Sequence, residues 1–173
     1  MRRLLLLRHA KSSWATPGQR DFDRPLSPRG LRAAPRIARY IADHGLAPDA
    51  VICSPARRTR ATLDLMLDAL PAPASVRYEQ ALYEGTAATL VALVCAGGDE
   101  HATIMIVGHN PGMQDAALLL IAADGRPMSR EIAVKYPTAA LAVIDFACGR
   151  WADVAPGNGT LQAFVTPRGL ERS

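Results

Sequence analysis

Three stretches of this chain join an apolar, strand-like run to side chains suited to a tetrahedral anion. Leu4 to Leu7 runs into Arg8-His9. Ala50 to Cys53 runs into Ser54-Pro55-Ala56-Arg57-Arg58-Thr59-Arg60. Thr103 to Val107 runs into Gly108-His109-Asn110. Arginine presents a planar fork of donors that matches the oxygens of such an anion. Neutral histidine is a competent nucleophile toward phosphorus. In an open α/β sheet, chemistry gathers beyond the carboxyl ends of the strands. If the three runs lie parallel in one sheet, two histidines, two or more arginines and a helix N-terminus meet at one rim.

The remaining pattern supplies that sheet. The three runs are short and continuously apolar, as strands covered on both faces are. Helices alternate with them. Ser27-Pro28 reads as N-cap and first residue of a helix, with Leu31, Ala34, Ala38 and Ile41 at helical spacing and Gly45 as its stop. Pro35 inside it predicts a kink or a split. Ser54-Pro55 is expected to cap a second helix, to about Leu70. A strand over Ser75 to Tyr78 and helices over Thr86 to Ala96 and Met113 to Ala123 follow. Ala140 to Phe146 and Leu161 to Val165 read as antiparallel strands at the end of the chain. The fold class is therefore α/β: one domain over residues 1–173, a three-layer α/β/α sandwich, mostly parallel with an antiparallel C-terminal edge. His44 falls at a helix end, where a cation favours the dipole, and His101 falls in an acidic surface turn. Neither is expected at the rim.

Leu7-Arg8-His9-Ala10-Lys11 resembles the signature of the histidine phosphatase superfamily, usually Arg-His-Gly. Ser54-Pro55-x-x-Arg58-x-x-x-Thr62 resembles its second motif, and Gly108-His109-Asn110-Pro111-Gly112 its third. The stretch Asp21-Phe22-Asp23-Arg24-Pro25-Leu26-Ser27-Pro28-Arg29-Gly30, with the short length, looks like the SixA-type phosphohistidine phosphatase branch. The resemblance covers residues 2 to about 123. It implies that His9 is the nucleophile that becomes phosphorylated. It further implies that Arg8, Arg58 and His109 hold the transferred phosphoryl group. Arg57 and Arg60 do not match the motif and read as solvated helix charges. Ala10 departs from the usual glycine, and the turn it enters requires a negative φ there.

Around this core stand residues without a matching motif. Arg24 is a candidate for reaching phosphate or a substrate acid. Ser12 and Ser13 are candidate donors to phosphate oxygen, and Trp14 is expected either to flank the mouth or to cover the sheet edge. A leaving alkoxide needs a proton donor, and Asp21, Asp23, Glu79 and Glu84 are the candidates. Spacing for metal ligands is absent, as are phosphate-loop and dinucleotide fingerprints, so the expectation is no metal and no cofactor. The arginines supply the charge that a divalent ion supplies elsewhere.

Composition narrows the function classes. An apolar share of 49% with 21% charged residues is ordinary globular chemistry. The net charge of +4 favours an anionic ligand but is too small for a nucleic-acid footprint, and only 5% of residues are aromatic. Three scattered cysteines argue against a disulfide framework and favour the cytoplasm. The longest apolar run, Ala116 to Ala123, is far below the ~20 residues that span a bilayer. These readings converge on a metal-independent phosphatase that works through phospho-His9. Phosphohistidine on a protein is the leading substrate, because the segment from Glu79 to Ala102 is too short for a lid domain. A small phosphate ester is the alternative within the enzyme class. A phosphate-binding module without turnover is the other reading, and the intact His9 speaks against it.

Overall fold

The computed structural model describes residues 1–172, so Ser173 of the expected domain lies outside the described residues. Six strands form one sheet: β1 (Arg2–Arg8), β2 (Ala50–Cys53), β3 (Ser75–Tyr78), β4 (Thr103–Gly108), β5 (Leu141–Phe146) and β6 (Gly159–Val165). Their order is β3-β2-β4-β1-β5-β6. The first four run parallel, β5 reverses against β1, and β6 reverses against β5. This is the expected mixed sheet with an antiparallel C-terminal edge. The order makes β2, β4 and β1 immediate neighbours, so the three motif-bearing strand ends are adjacent.

The apolar runs are buried on both faces, which is why they do not alternate with polar residues. Leu5 and Leu7 of β1 pack with Met105 and Val107 of β4 against helices α1 (Pro28–Asp43) and α2 (Arg57–Leu67). Leu4, Leu6, Ile104 and Ile106 face the other way. They pack against α3 (Ala87–Cys95), α4 (Gly112–Leu120) and α5 (Pro127–Val134). Each fully buried leucine or isoleucine contributes roughly 1.5 to 3 kcal/mol relative to exposure. The alternation therefore anchors β1 between two cores and holds its polar exit, Arg8-His9, at a defined height.

Local signals hold in some places and yield in others. Ser27 caps α1, accepting from the Gly30 N–H at 3.2 Å, and Gly45 ends the region with a φ of +63°. Of the kink or split expected at Pro35, the split does not occur; the helix runs unbroken across it. Pro35 and Leu31, whose carbonyl loses its donor, are both exposed, so water serves that carbonyl. Ala34, Ile37, Ala38 and Ile41 hold the opposite side to the sheet. Ser54 does not cap α2 either. That helix starts three residues later, without a side-chain cap, and ends at Leu67 rather than Leu70. The Ser54 hydroxyl is instead taken by His109 at 2.7 Å. α4 stops at Leu120 because Ile121 leaves the helix to bridge Gly159. A short helix, α6 (Pro167–Leu170), follows β6. Helix α5 lies in a segment that carries no sequence assignment above; its one local signal is Pro127 in the first turn.

Candidate active site

β1 delivers Arg8 and His9 to the rim, and its exit is held by backbone bonds from three sides. The His9 N–H donates to the Gly108 carbonyl at 3.0 Å, and the Ala10 N–H donates to the Thr62 hydroxyl at 3.0 Å. The Ala139 N–H reaches the carbonyls of Arg8 and His9 at 3.1 and 3.0 Å. Ala139 has a φ of +59°, the only positive φ among the described residues other than glycines. Ala10 thus has the negative φ that its side chain requires.

The His9 ring is buried and donates from Nδ1 to the Ala10 carbonyl at 2.7 Å. That assigns the proton to Nδ1 and leaves the Nε2 lone pair free. Burial, reinforced by His109, Arg58 and Arg8 against the pull of the Ala10 carbonyl, lowers the His9 pKa to about 3. The imidazole is therefore neutral across the physiological range. Arg8 donates through Nη1 to the Tyr136 carbonyl at 2.8 Å, while its Nε is buried without a partner among the described residues. Burial and then the neighbouring Arg58 make its charge costly and lower its pKa.

Arg58 enters from the first turn of α2 and His109 from the end of β4. Arg58 Nη2 lies 3.2 Å from His109 Nδ1. A guanidinium only donates, so Nδ1 accepts, and His109 Nε2–H donates to Ser54. Burial first, then Arg58, lowers the His109 pKa to about 4. The two rings stand with centroids 5.2 Å apart. Arg58 Nε is also buried and unpartnered among the described residues. Two guanidiniums, two neutral imidazoles and two unpartnered N–H donors thus lie together at one rim. Such an arrangement can bind the three oxygens of a phosphoryl group and present a nitrogen lone pair to its phosphorus.

Asp21 is the hub behind Arg58. It accepts from the Tyr83 hydroxyl at 2.6 Å, from Arg24 at 2.9 Å and from Arg58 Nη2 at 3.1 Å, and its carbonyl accepts from Arg58 Nη1 at 2.7 Å. Partial burial pushes the Asp21 carboxyl up. The donors from Tyr83, Arg24 and Arg58 outweigh it and hold the pKa at about 2. Asp21 is therefore ionised and anchors Arg58; a group held this low is a poor proton donor. Arg24 is spent on the same scaffold: besides Asp21 it donates to the Ser12 hydroxyl at 2.6 Å and to the Ser13 carbonyl. The Trp14 ring lies 3.3 Å from its guanidinium carbon and is 69% exposed, so it covers Arg24 from the solvent side.

The other expected residues scatter. Asp23 lies 3.8 Å from Arg20 and does not reach the cluster. Glu79 accepts from the Ala81 N–H at the start of a 3₁₀ turn. Glu84 is exposed but borders a cavity of about 340 Å³ together with Asp21, Arg58, Tyr83 and His109. Arg57 is exposed, and Arg60 lies 4.5 Å over the Tyr78 ring, away from the cluster. His44 bonds the Tyr40 carbonyl and His101 lies beside Glu100, both outside the site. Tyr83, Ser54 in its actual role, and the Tyr136 carbonyl escape sequence reasoning. Tyr83 carries the one readable signal, an aromatic beside Glu84 in the loop after β3. Among the described residues no three His, Cys, Asp or Glu side chains stand together to hold a metal ion. No helix there is long and apolar enough to cross a membrane.

Comparison with known proteins places this geometry. The family model of the histidine phosphatase superfamily (branch 1) matches residues 4–91. An uncharacterised protein of Mycobacterium tuberculosis is 38% identical over 164 residues, covering 94% of this chain and all of that protein. A structure from Agrobacterium tumefaciens, assigned as the phosphohistidine phosphatase SixA, superposes with a TM-score of 0.82 at 33% identity, covering 96% of this chain and 98% of that one. A SixA structure from Nakamurella, assigned in the same way, gives 0.82 and 33% with 96% of each chain covered. A neutral histidine between two arginines at adjacent strand ends, on a fold shared along nearly its whole length, makes this chain a phosphatase of the histidine phosphatase superfamily, of the SixA type.

Proposed function

We propose that the protein hydrolyses phosphohistidine on another protein, through a phosphorylated His9 and without a metal. The observation that carries the reading is the His9 Nδ1–H bond to the Ala10 carbonyl, which leaves a neutral Nε2 unpaired in the neighbourhood of Arg8, Arg58 and His109. In the first step, His9 Nε2 attacks phosphorus as the bond to the leaving imidazole breaks; that imidazole takes up a proton from solvent water at the open mouth. In the second, water attacks phospho-His9, the Nε2–P bond breaks, and inorganic phosphate leaves. Arg8 and Arg58 stabilise charge on the equatorial oxygens in both transfers. Arg58 Nη2 exchanges its bond to His109 for one to the phosphoryl group, and the freed His109 Nδ1 takes up a proton beside the anion before it donates to a phosphoryl oxygen.

Substrate choice follows from leaving-group chemistry. An alkoxide needs a strong proton donor, and Asp21, the acid nearest Arg58, is held ionised. An imidazole leaves more readily, so a site without a protonated acid at the mouth suits phosphohistidine. Between β3 and β4 the chain forms only a 3₁₀ turn and α3, which leaves the mouth open to a side chain on a folded partner. Small phosphate esters enter the same opening and react more slowly, because their alkoxide leaves without a strong proton donor. The reading keeps the cytoplasm as compartment, on the scattered cysteines. The test is acid–alkali discrimination of the trapped intermediate after rapid quenching with a phosphohistidine protein. Alkali-stable, acid-labile phosphate on His9 is expected; turnover without it overturns the covalent route.

A further inference from the structure

The arginines of α1 form a second cationic region outside the site. Arg29, Arg32, Arg36 and Arg39 recur at intervals of three, four and three residues, which places them within one arc of the helix, and all four are exposed. They extend over ~15 Å of helix axis at 1.5 Å per residue. Arg168 of α6 joins them across a concave surface of about 440 Å³ that also holds Arg29, Arg32 and Arg36. The stripe begins at the active-site end. A Cβ on Gly30 would stand 2.2 Å from the Lys11 carbonyl oxygen, so the first turn of α1 presses against the chain two residues after His9. Lys11 itself is exposed there.

The charge on this face is unbalanced. Among the described residues the carboxylates that line its two concavities are Asp43 and Glu171, and Glu171 is paired with Arg36. Six cations and two carboxylates leave +4, the net charge of the entire chain. Among the described residues Arg29, Arg32 and Arg39 form no ion pair. A solvated helix face ordinarily intersperses both signs, with acidic residues three or four positions from basic ones. Here four arginines are retained with Asp43 alone in the last turn.

We propose that this face docks an acidic helical surface of the phosphohistidine-bearing protein, guiding its phosphorylated side chain toward His9. The inference rests on the reading of the substrate given above. The polarity fits: the stripe meets the site end on, so an acidic helix lying along α1 brings one of its ends to the mouth. Like-charged partners are rejected by the same field, and encounter with acidic ones is accelerated at low ionic strength.

The experiment uses two chemically phosphorylated peptides with one phosphohistidine each. One is followed by a helical run bearing glutamates at the spacing of the stripe, the other by glutamines in the same places. The wild-type chain is expected to favour the acidic peptide by about tenfold or more in kcat/KM, a preference that fades at high salt. The variant Arg29→Glu/Arg32→Glu/Arg39→Glu is expected to lose or invert it, with unchanged turnover of a small chromogenic phosphate ester. No preference in the wild type, or one that survives the triple reversal, overturns the docking face. So does loss of binding to anionic lipid vesicles in the variant while the peptide preference persists. Titration with the unphosphorylated acidic peptide separates the two readings. If neither phosphopeptide is turned over, the substrate reading fails, whereas peptide binding that disappears in the variant still supports the docking face and its absence overturns it.

Discussion

The parallel half of the sheet and its antiparallel edge serve the site in opposite ways. The exits of β1 and β4 and the helix that follows β2 contribute side chains: Arg8, His9, His109 and Arg58. The edge contributes main-chain atoms. The carbonyl of Tyr136 holds Arg8, and the N–H of Ala139 ties the carbonyls of Arg8 and His9 just before β5 begins. Tyr136 is itself locked in place, donating from its buried hydroxyl to the Leu6 carbonyl at 2.6 Å and accepting from the Ala142 N–H at 3.1 Å. The two halves therefore differ in what mutation can reach. Chemistry is lost by changing side chains in one half. In the other half, side-chain changes alter stability and act on chemistry only through the backbone.

His9→Ala is the severest break on the parallel side. Turnover is expected to vanish while circular dichroism shows a folded protein, because the ring sits at a strand exit and its removal takes away the nucleophile. Repeated turnovers by this variant would falsify the covalent mechanism. The same residue governs acid stability. Its folded pKa near 3 and that of His109 near 4 lie below the unfolded value of 6.5. The unfolded chain thus binds more protons below pH 6.5, so stability is present above that pH and is lost as pH falls toward 4 and 3. Urea midpoints across this window should fall for the wild type and fall less for His9→Ala.

Arg58→Lys comes next. It keeps a charge but loses the fork that spans Asp21 and the phosphoryl oxygens, at a cost of about 2 to 4 kcal/mol in the chemical step. Arg57→Lys and Arg60→Lys should be nearly silent in single-turnover rates. A crippled Arg57→Lys beside an active Arg58→Lys would move the register of the second motif by one.

On the edge, Tyr136→Phe leaves the Leu6 carbonyl and the Ala142 N–H without their hydroxyl partner. A stability loss of roughly 1 to 3 kcal/mol in denaturant titration is expected, with kcat little changed. A large fall in kcat with stability intact would erase the contrast between the halves. The smallest effect is reserved for Ala139→Gly. Glycine relieves the left-handed strain of ~1 kcal/mol and adds chain entropy of similar size, so the melting temperature should shift by a degree or two at most. Ala139→Val, in contrast, adds a β-branched side chain where φ is positive and should destabilise clearly.

Arg8, His9 and His109 were legible because they sit at the ends of buried strands. Leu4 to Leu7 and Thr103 to Val107 read as strands through their unbroken apolar character, and whatever polar residue follows such a strand is delivered to the rim. Parallel pairing could be inferred from the alternating helices. Less was legible wherever one polar group had two possible partners. Ser54 before a proline looks like a helix cap, yet His109, distant in sequence, competes for its hydroxyl and wins. Pro35 looks like a break, yet its side of α1 faces water. Asp21 looked like one of four equivalent acids, and only the convergence of Arg24, Arg58 and Tyr83 made it an ionised anchor.

By itself, the amino-acid sequence determined the fold class and the strand ends, because apolar periodicity is a local property, while the choice of Arg8, His9, Arg58 and His109 came from the resemblance of their motifs to those of the histidine phosphatase superfamily. The tertiary structure decided which nitrogen of His9 carries the proton, which acid is held ionised, and which backbone atoms hold the arginines. Those outcomes depend on burial and on partners brought together from distant parts of the chain. A carbonyl oxygen such as that of Tyr136 is present at every residue, so only the folded chain selects the one that holds Arg8.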